Sequence, residues 1–321
     1  MIADDKRTVL VSSLGWVEHD ALWVLNVGEK KETVIPLGSG ARYLSPHTSG
    51  GDLFAVVHHF DGARFELTVH AFDRPAKALA HGVVDEKRSE LSGDARLWQS
   101  VPRFYVDYLA FPPWKDFVLV ELCPAQGRLN VHRLAWYDQS YDKGYQGVVA
   151  VSEMPDAELA LVSVQRCSEL VIHHLPTGMK RAGLRLAGRN GNPQIRFRKS
   201  AAELWALDYD TIVVLDSNTW DKKRSARLQD AAAGTMQFAG DFAFDANESL
   251  CVVARPFSGD VVGLDAATLK VRSSTQLGKQ PLEVAVLPEN RVVARDWKTG
   301  ETLQGTLKTR TFWDIFRPAA R

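Results

Sequence analysis

The sequence predicts an all-β protein: a seven-bladed β-propeller of four-stranded antiparallel blades, its ring closed by pairing of the chain ends. Two observations carry this. Seven times an extended apolar run is followed by a turn and a second apolar run, in the pairs Val9 to Asn26, Tyr43 to Val57, Phe104 to Val120, Val148 to Val164, Ile195 to Leu207, Phe242 to Ala254 and Val284 to Arg295. Aligned on Leu22, Leu53, Phe117, Leu159, Leu204, Leu250 and Asn290, the second runs are spaced by 31, 64, 42, 45, 46 and 40 residues. A period averaging about 45, with two or more strands in each unit, is the pattern of a propeller. The second observation is an internal match of Cys251-Val-Val-Ala-Arg255 to Arg291-Val-Val-Ala-Arg295.

Taken in order, the units differ in regularity. Between Leu22 and Leu53 only one further strand fits, Glu32 to Leu37, which leaves the first blade one strand short. The final run Thr309 to Phe316 has strand composition and is expected to fill that gap, since an unpaired blade edge invites aggregation. The long second interval holds a charged insertion at about 85–102, beginning Asp85-Glu-Lys-Arg-Ser-Glu, which reads as a solvated loop. A second irregular piece at about 137–146 carries Tyr137, Tyr141 and Tyr145, a composition suited to a partner surface. The unit at Leu204 runs through Leu204-Trp-Ala-Leu207 and Thr211-Ile-Val-Val-Leu215 to a turn at Asp216-Ser-Asn-Thr219. The clearest unit spans Phe242 to Leu277, with strands at Phe242, Leu250 to Ala254, Asp260 to Leu264 and Leu269 to Leu277, and a matching turn at Asp265-Ala-Ala-Thr268. Aspartate ends the third strand in both units because its side chain accepts hydrogen bonds from backbone groups two residues on. Leu250 to Ala254 is almost continuously apolar, as a strand buried on both faces must be.

Val261-Val-Gly-Leu-Asp265-Ala-Ala-Thr268 and Thr211-Ile-Val-Val-Leu-Asp216-Ser-Asn-Thr219 resemble the repeats of bacterial surface-layer-type and quinoprotein-like propellers, relatives in shape of the WD-repeat proteins. The resemblance covers the last two thirds of the chain and implies a fold rather than a function. Trp220-Asp221 and Trp313-Asp314 are the only Trp-Asp pairs, and no Gly-His pair precedes them.

Composition sets further bounds. Because a ring of repeats routinely reaches 321 residues as one unit, residues 1–321 are read as a single domain. Lys plus Arg (39) equals Asp plus Glu (39), and no basic stripe is visible, so nucleic acid is not an expected partner. No run approaches the roughly 20 apolar residues of a membrane span, and the N-terminal sequence has no secretory pattern, so a cytoplasmic protein without membrane insertion is expected. Cys123, Cys167 and Cys251 lack metal or redox spacing and read as small strand hydrophobes.

Catalytic and metal-binding patterns are absent from the sequence. His70, His132 and His173 occupy the same slot of three successive units, but neighbouring blades stand several strands apart, at about 4.7 Å per strand. A zinc ion needs each nitrogen within about 2.1 Å, so these read as hydrogen-bonded strand histidines. No nucleophile elbow, zinc-protease motif or phosphate loop is present, and no catalytic residue, metal or cofactor is predicted. Trp23 and Trp205 read as packing between blades.

One constellation remains. Residues just before the first strand of each blade should ring one mouth of the central channel: Arg7, Arg42, Arg103, Gln146, Gln194, Asp241 and Glu283, with Arg196 one pleat further in. Of these, Arg42, Arg103, Gln194, Arg196, Asp241 and Glu283 form the candidate ligand site, because guanidinium forks suit a carboxylate or phosphate. The leading functional reading is a non-catalytic scaffold whose loop faces bind another protein. The alternative is a small-molecule binder, or a hydrolase or lyase, taking an anionic ligand at the channel mouth.

Overall fold

In a computed structural model of the chain, the described residues are 2–3, 7–11, 21–26, 31–38, 40–44, 52–61, 64–85, 89–93, 104–109, 116–123, 128–135, 148–153, 158–164, 169–186, 194–228 and 239–309. Every regular element among them is a strand, apart from single 3-10 turns at Lys199–Ala201 and Pro288–Asn290. No helix among them is long and apolar enough to cross a membrane.

The strands group into seven sheets in chain order. Strands β1 (Ile2–Ala3), β2 (Arg7–Val11), β3 (Ala21–Asn26) and β4 (Lys31–Pro36) form the first. The second has five: β5 (Ala41–Leu44), β6 (Leu53–Asp61), β7 (Arg64–Ala71), β8 (Arg74–Val84) and β9 (Ser89–Gly93). The third has β10 (Phe104–Leu109), β11 (Asp116–Cys123) and β12 (Arg128–Ala135), and the fourth β13 (Val148–Glu153), β14 (Leu159–Val164), β15 (Glu169–His174) and β16 (Met179–Arg185). The fifth comprises β17 (Gln194–Arg198), β18 (Glu203–Asp208), β19 (Thr211–Asp216) and β20 (Lys222–Arg227). The sixth holds β21 (Phe242–Phe244), β22 (Leu250–Arg255), β23 (Asp260–Asp265) and β24 (Val271–Gln276), and the seventh β25 (Pro281–Leu287), β26 (Arg291–Asp296) and β27 (Thr302–Thr306). A last strand, β28 (Lys308–Thr309), adds to the outer edge of β24. Pairing is antiparallel throughout the sixth and seventh sheets.

The structure departs from the sequence pattern in three places. Four strands were expected in each of seven blades, whereas five blades reach four or more and two sheets show three among the described residues. The strand missing from the first blade comes from the adjacent N-terminus, where Ile2 pairs with Val9 and Ala3 with Thr8. A hairpin that short closes at lower entropic cost than pairing of distant chain ends. Thr309 instead pairs with Ser273 of β24, and residues 310–316 lie outside the described residues. Within the expected solvated insertion, Ser89–Gly93 is the fifth strand of the second sheet, paired with β8, and Leu91 packs against the core there.

The chain divides into two compact units: Met1–Leu10, Leu25–Lys31 and Gln194–Arg321 form one, Val11–Val24 and Glu32–Pro193 the other. In the first unit, β22 shows how sequence parity becomes packing. Cys251 and Val253 face a core shared with Trp205, Leu207 and Val214 of the fifth sheet. Leu250, Val252 and Ala254 face the other way, into a core shared with Val284, Val292 and Ala294 of the seventh. Successive side chains of a strand point to opposite faces, so one apolar run serves two cores. In the second unit, Leu53, Ala55 and Val57 of β6 join Phe65, Leu67 and Val69 of β7 in a core that extends to Phe104, Val120 and Leu122 of the third sheet. Trp205 is fully buried between sheets, as expected. Trp23 is not: it remains 37% exposed, because Leu22 and Val24 take the inward positions of β3 and leave Trp23 on the alternate face.

The aspartate turns form as the sequence predicts. Asp216 Oδ1 accepts from the Asn218 and Thr219 amides, at 2.9 and 3.2 Å. Asp265 Oδ1 accepts from those of Ala267 and Thr268, at 3.0 and 2.8 Å. Asp296 does the same for Lys298 and Thr299, at 2.9 and 2.7 Å. The residue after the threonine takes positive φ in each: Trp220 at 67°, Leu269 at 59° and Gly300 at 69°. In the fourth sheet His174 replaces the aspartate, with Nδ1 2.7 Å from the Thr177 hydroxyl, and Gly178 sits at φ 67°.

Gly178 is pressed against the third sheet, where a Cβ would overlap the Arg133 carbonyl oxygen, while Gly278, at φ 71°, has open space around its Cβ position. Gly178→Ala is therefore expected to cost about 3 kcal/mol, strain plus overlap, and Gly278→Ala only about 1 kcal/mol, in urea unfolding.

Candidate functional site

The structure joins half of the predicted channel-mouth set. On β17 the parity that buries Ile195 turns Arg196 and Arg198 toward the sixth sheet. Arg196 Nε donates to the Phe242 carbonyl at 2.5 Å and one terminal nitrogen donates to Asp241 Oδ1 at 2.8 Å, with the guanidinium 5.5 Å from the Phe242 ring centre. Glu283, on β25, pairs in register with Arg295 of β26. Burial raises the Glu283 carboxyl above its ordinary range, and nearby Asp241 pushes the same way, against Arg295 and Arg196. Gln194 opens β17 opposite Leu207, partly exposed. Arg42 lies on β5 opposite Val57 with its side chain outside the described residues, and Arg103, Tyr137, Tyr141 and Tyr145 lie outside them altogether.

The arrangement changes what Arg196 can do. Its fork is engaged by a carboxylate and a carbonyl of its own chain, so the charge that the sequence offered to an anionic ligand is already neutralised. A bidentate anion would have to displace both bonds.

A denser polar cluster went unnoticed in the sequence. Glu203 opens β18, one residue before the apolar run at Leu204, and is buried. Its two oxygens accept from Arg224 at 2.7 and 2.8 Å, from Arg198 at 3.2 Å and from the Trp205 indole at 3.1 Å. Arg224 also lies 5.4 Å from the Trp205 ring centre and donates to the Ala266 carbonyl of the sixth sheet at 2.6 Å. Burial alone would raise the Glu203 carboxyl, but the bonds from Arg224 and Trp205 override it and hold the group down at about 2. The available signal was Trp205 two residues along the same face, with Arg198 directly across the ladder.

The three strand histidines are hydrogen-bonded. His70 reaches the Pro75 carbonyl and the Thr68 hydroxyl, both at 2.9 Å. His132 donates to the Leu175 carbonyl at 3.1 Å and faces Glu121 at 3.0 Å. His173 bonds to the Gly178 backbone, and burial pulls it down to about 4.

An exposed aromatic pair stands at one end of the sixth and seventh sheets. Phe257, in the β22–β23 turn, is 58% exposed, and Trp297, in the β26–β27 turn, is 41% exposed. Their ring centres lie 5.9 Å apart at 85°. Both turns are stiff. Arg255 holds Asp260 through two bonds, at 2.8 and 2.5 Å, and donates to the Leu228 carbonyl at 3.0 Å. The Trp297 amide donates to the Gln280 carbonyl at 2.7 Å, and Asp296 Oδ2 accepts from the Gln280 amide at 2.7 Å. In the sequence, Pro256-Phe-Ser-Gly259 reads only as a turn, since exposure of a single phenylalanine leaves no periodic mark.

Solved structures show which fold these sheets belong to. The chain is similar to the β-propeller domain of Cps50 (Swd1) from Myceliophteria thermophila, with 11% identity over 95% of this chain and 97% of that one at a TM-score of 0.59. It is similar to a protein from Lactobacillus plantarum, with 11% identity over 95% of both chains at 0.61. A Bacteroides fragilis protein provisionally assigned as a 6-phosphogluconolactonase matches at 10% identity over 94% of both chains, at 0.59. The chain is a β-propeller, and likeness at such identities speaks for the fold alone. No protein-family model and no curated protein matches the sequence.

The Glu203 interlock has a definite pH signature. A carboxyl held at about 2 in the fold and at 4.5 when unperturbed stabilises fully above 4.5, and that contribution is lost as pH falls through about 2. Glu203→Gln is expected to cost about 3 kcal/mol at neutral pH, with the gap to wild type narrowing by roughly half near pH 3, read from urea unfolding at both.

Proposed function

We propose that this propeller is a non-catalytic scaffold that offers the loop end bearing Phe257 and Trp297 to a partner protein. The observation that carries the reading is that exposed perpendicular ring pair on two stiff turns. Aromatic anchors on a rigid base lose little entropy on binding and dominate many protein interfaces. The internal neutralisation of Arg196 by Asp241 supports the same choice, since it withdraws one of the three arginines offered to an anion at the mouth. Tyr137, Tyr141 and Tyr145 belong to the same proposal as a second contact.

One observation favours the alternative, a small ligand held by Arg42, Arg103, Gln194, Arg196, Asp241 and Glu283. A carboxyl raised by burial beside a second carboxylate and an arginine is the kind of group that binding sites use.

The test is capture of partners from the source lysate with tagged wild type, with Phe257→Ala/Trp297→Ala and with Arg42→Glu/Arg103→Glu. One stoichiometric partner is expected with wild type and the arginine variant and is expected to be lost with the aromatic variant. Loss in the arginine variant alone would move the interface to the mouth, and no partner with any of the three would sink the scaffold reading.

A further inference from the structure

Resting on the scaffold reading, the geometry points to a particular occupant for the Phe257–Trp297 corner: an extended segment of a partner protein carrying an apolar side chain flanked by carboxylates. The two rings belong to turns of neighbouring sheets and meet edge to face, so they form two walls of an open corner. A corner of two rings takes one side chain, which makes the contact a single anchor rather than a broad interface.

The charges around it decide the rest. Lys279 precedes the Gln280 carbonyl that holds Trp297, and its ammonium pairs with Glu301. Lys298 follows Trp297 directly, is exposed, and has no ion-pair partner among the described residues. Arg255, beside Phe257, is taken up by Asp260. Lys279 is answered by Glu301 and the buried Asp296 carboxylate is bound into its own turn, which leaves Lys298 as the exposed rim ammonium that no carboxylate pairs among the described residues. Perpendicular aromatic walls could also hold a cation, but the Lys298 ammonium at the rim repels one. It attracts a carboxylate, and an exposed rim charge of this kind sets selectivity and encounter rate.

The backbone at the corner excludes a further mode. The Trp297 amide is used by Gln280, and the Ser258 carbonyl accepts from the Gln276 side chain at 3.0 Å. Little main chain is left to pair with an added strand, so recognition falls to side chains.

The test uses fluorescently labelled short synthetic peptides with full-length protein, read by polarisation. One set places phenylalanine or leucine between aspartates and glutamates, a second replaces the acids by lysines, and a third replaces the apolar residue by alanine. The acidic set is expected to bind roughly tenfold more tightly than either other set. Phe257→Ala/Trp297→Ala should lose roughly tenfold, and Lys298→Glu should weaken the acidic set and strengthen the lysine set, all with unchanged melting temperature. Absence of binding by every set, equal binding of acidic and basic sets, or no response to Lys298→Glu would overturn the proposal. So would tighter association with vesicles of phosphatidylserine in phosphatidylcholine, which would mark an anionic lipid surface as the occupant. If the aromatic variant loses the captured partner while the peptides show no preference for acid, the scaffold reading stands and this one falls. If no partner is captured, the scaffold reading falls and takes this one with it, whatever the peptides do.

Discussion

Burial of one strand on both faces is the constraint on which the rest depends. β22 lends Cys251 and Val253 to one core and Leu250, Val252 and Ala254 to another, so neither core exists without the sheet on its far side. A single four-stranded sheet of this composition would leave one apolar face in water, and only the next repeat covers it. Burial pushes the Cys251 thiol up, in keeping with a cysteine that serves as a small hydrophobe.

Where both faces are apolar, polar satisfaction is driven to the ends of the sheets. The carbonyl one residue into the strand-joining turn is reached from the preceding sheet in both units. Arg224 donates to Ala266, just after Asp265, and His132 donates to Leu175, just after His174. Different side chains meet the same need because the turn bends its own carbonyl outward and a buried carbonyl must find a donor. Glu203 and Glu121 hold those donors in place: the first takes both terminal nitrogens of Arg224, the second the far nitrogen of His132. These bonds align neighbouring sheets, which apolar contact alone does only loosely.

The same logic separates structural charge from available charge. Arg196, Arg198, Arg224 and Arg255 are all spent on carboxylates and carbonyls of their own chain. Phe257 and Trp297, by contrast, stay exposed at one end of the last two sheets.

The sequence by itself determined the strand pattern of the sixth sheet, its aspartate turns and the double burial of β22, because each is written in local parity and turn chemistry. It also brought Arg196, Asp241 and Glu283 to one place, since strand starts in successive repeats fall near one another. Tertiary structure alone decided the matters that hang on partners distant in sequence. The spare strand of the first blade came from Ile2–Ala3, Thr309 went to β24, and Ser89–Gly93 became a strand because β8 had an open edge and Leu91 an apolar place to pack. Only the fold turned Arg196 from a free cation into a neutralised one and made Glu203 an interlock with Arg224, Arg198 and Trp205. Only the fold set Phe257 beside Trp297, forty residues away, because the register that joins two turns is a property of packed sheets and not of either turn.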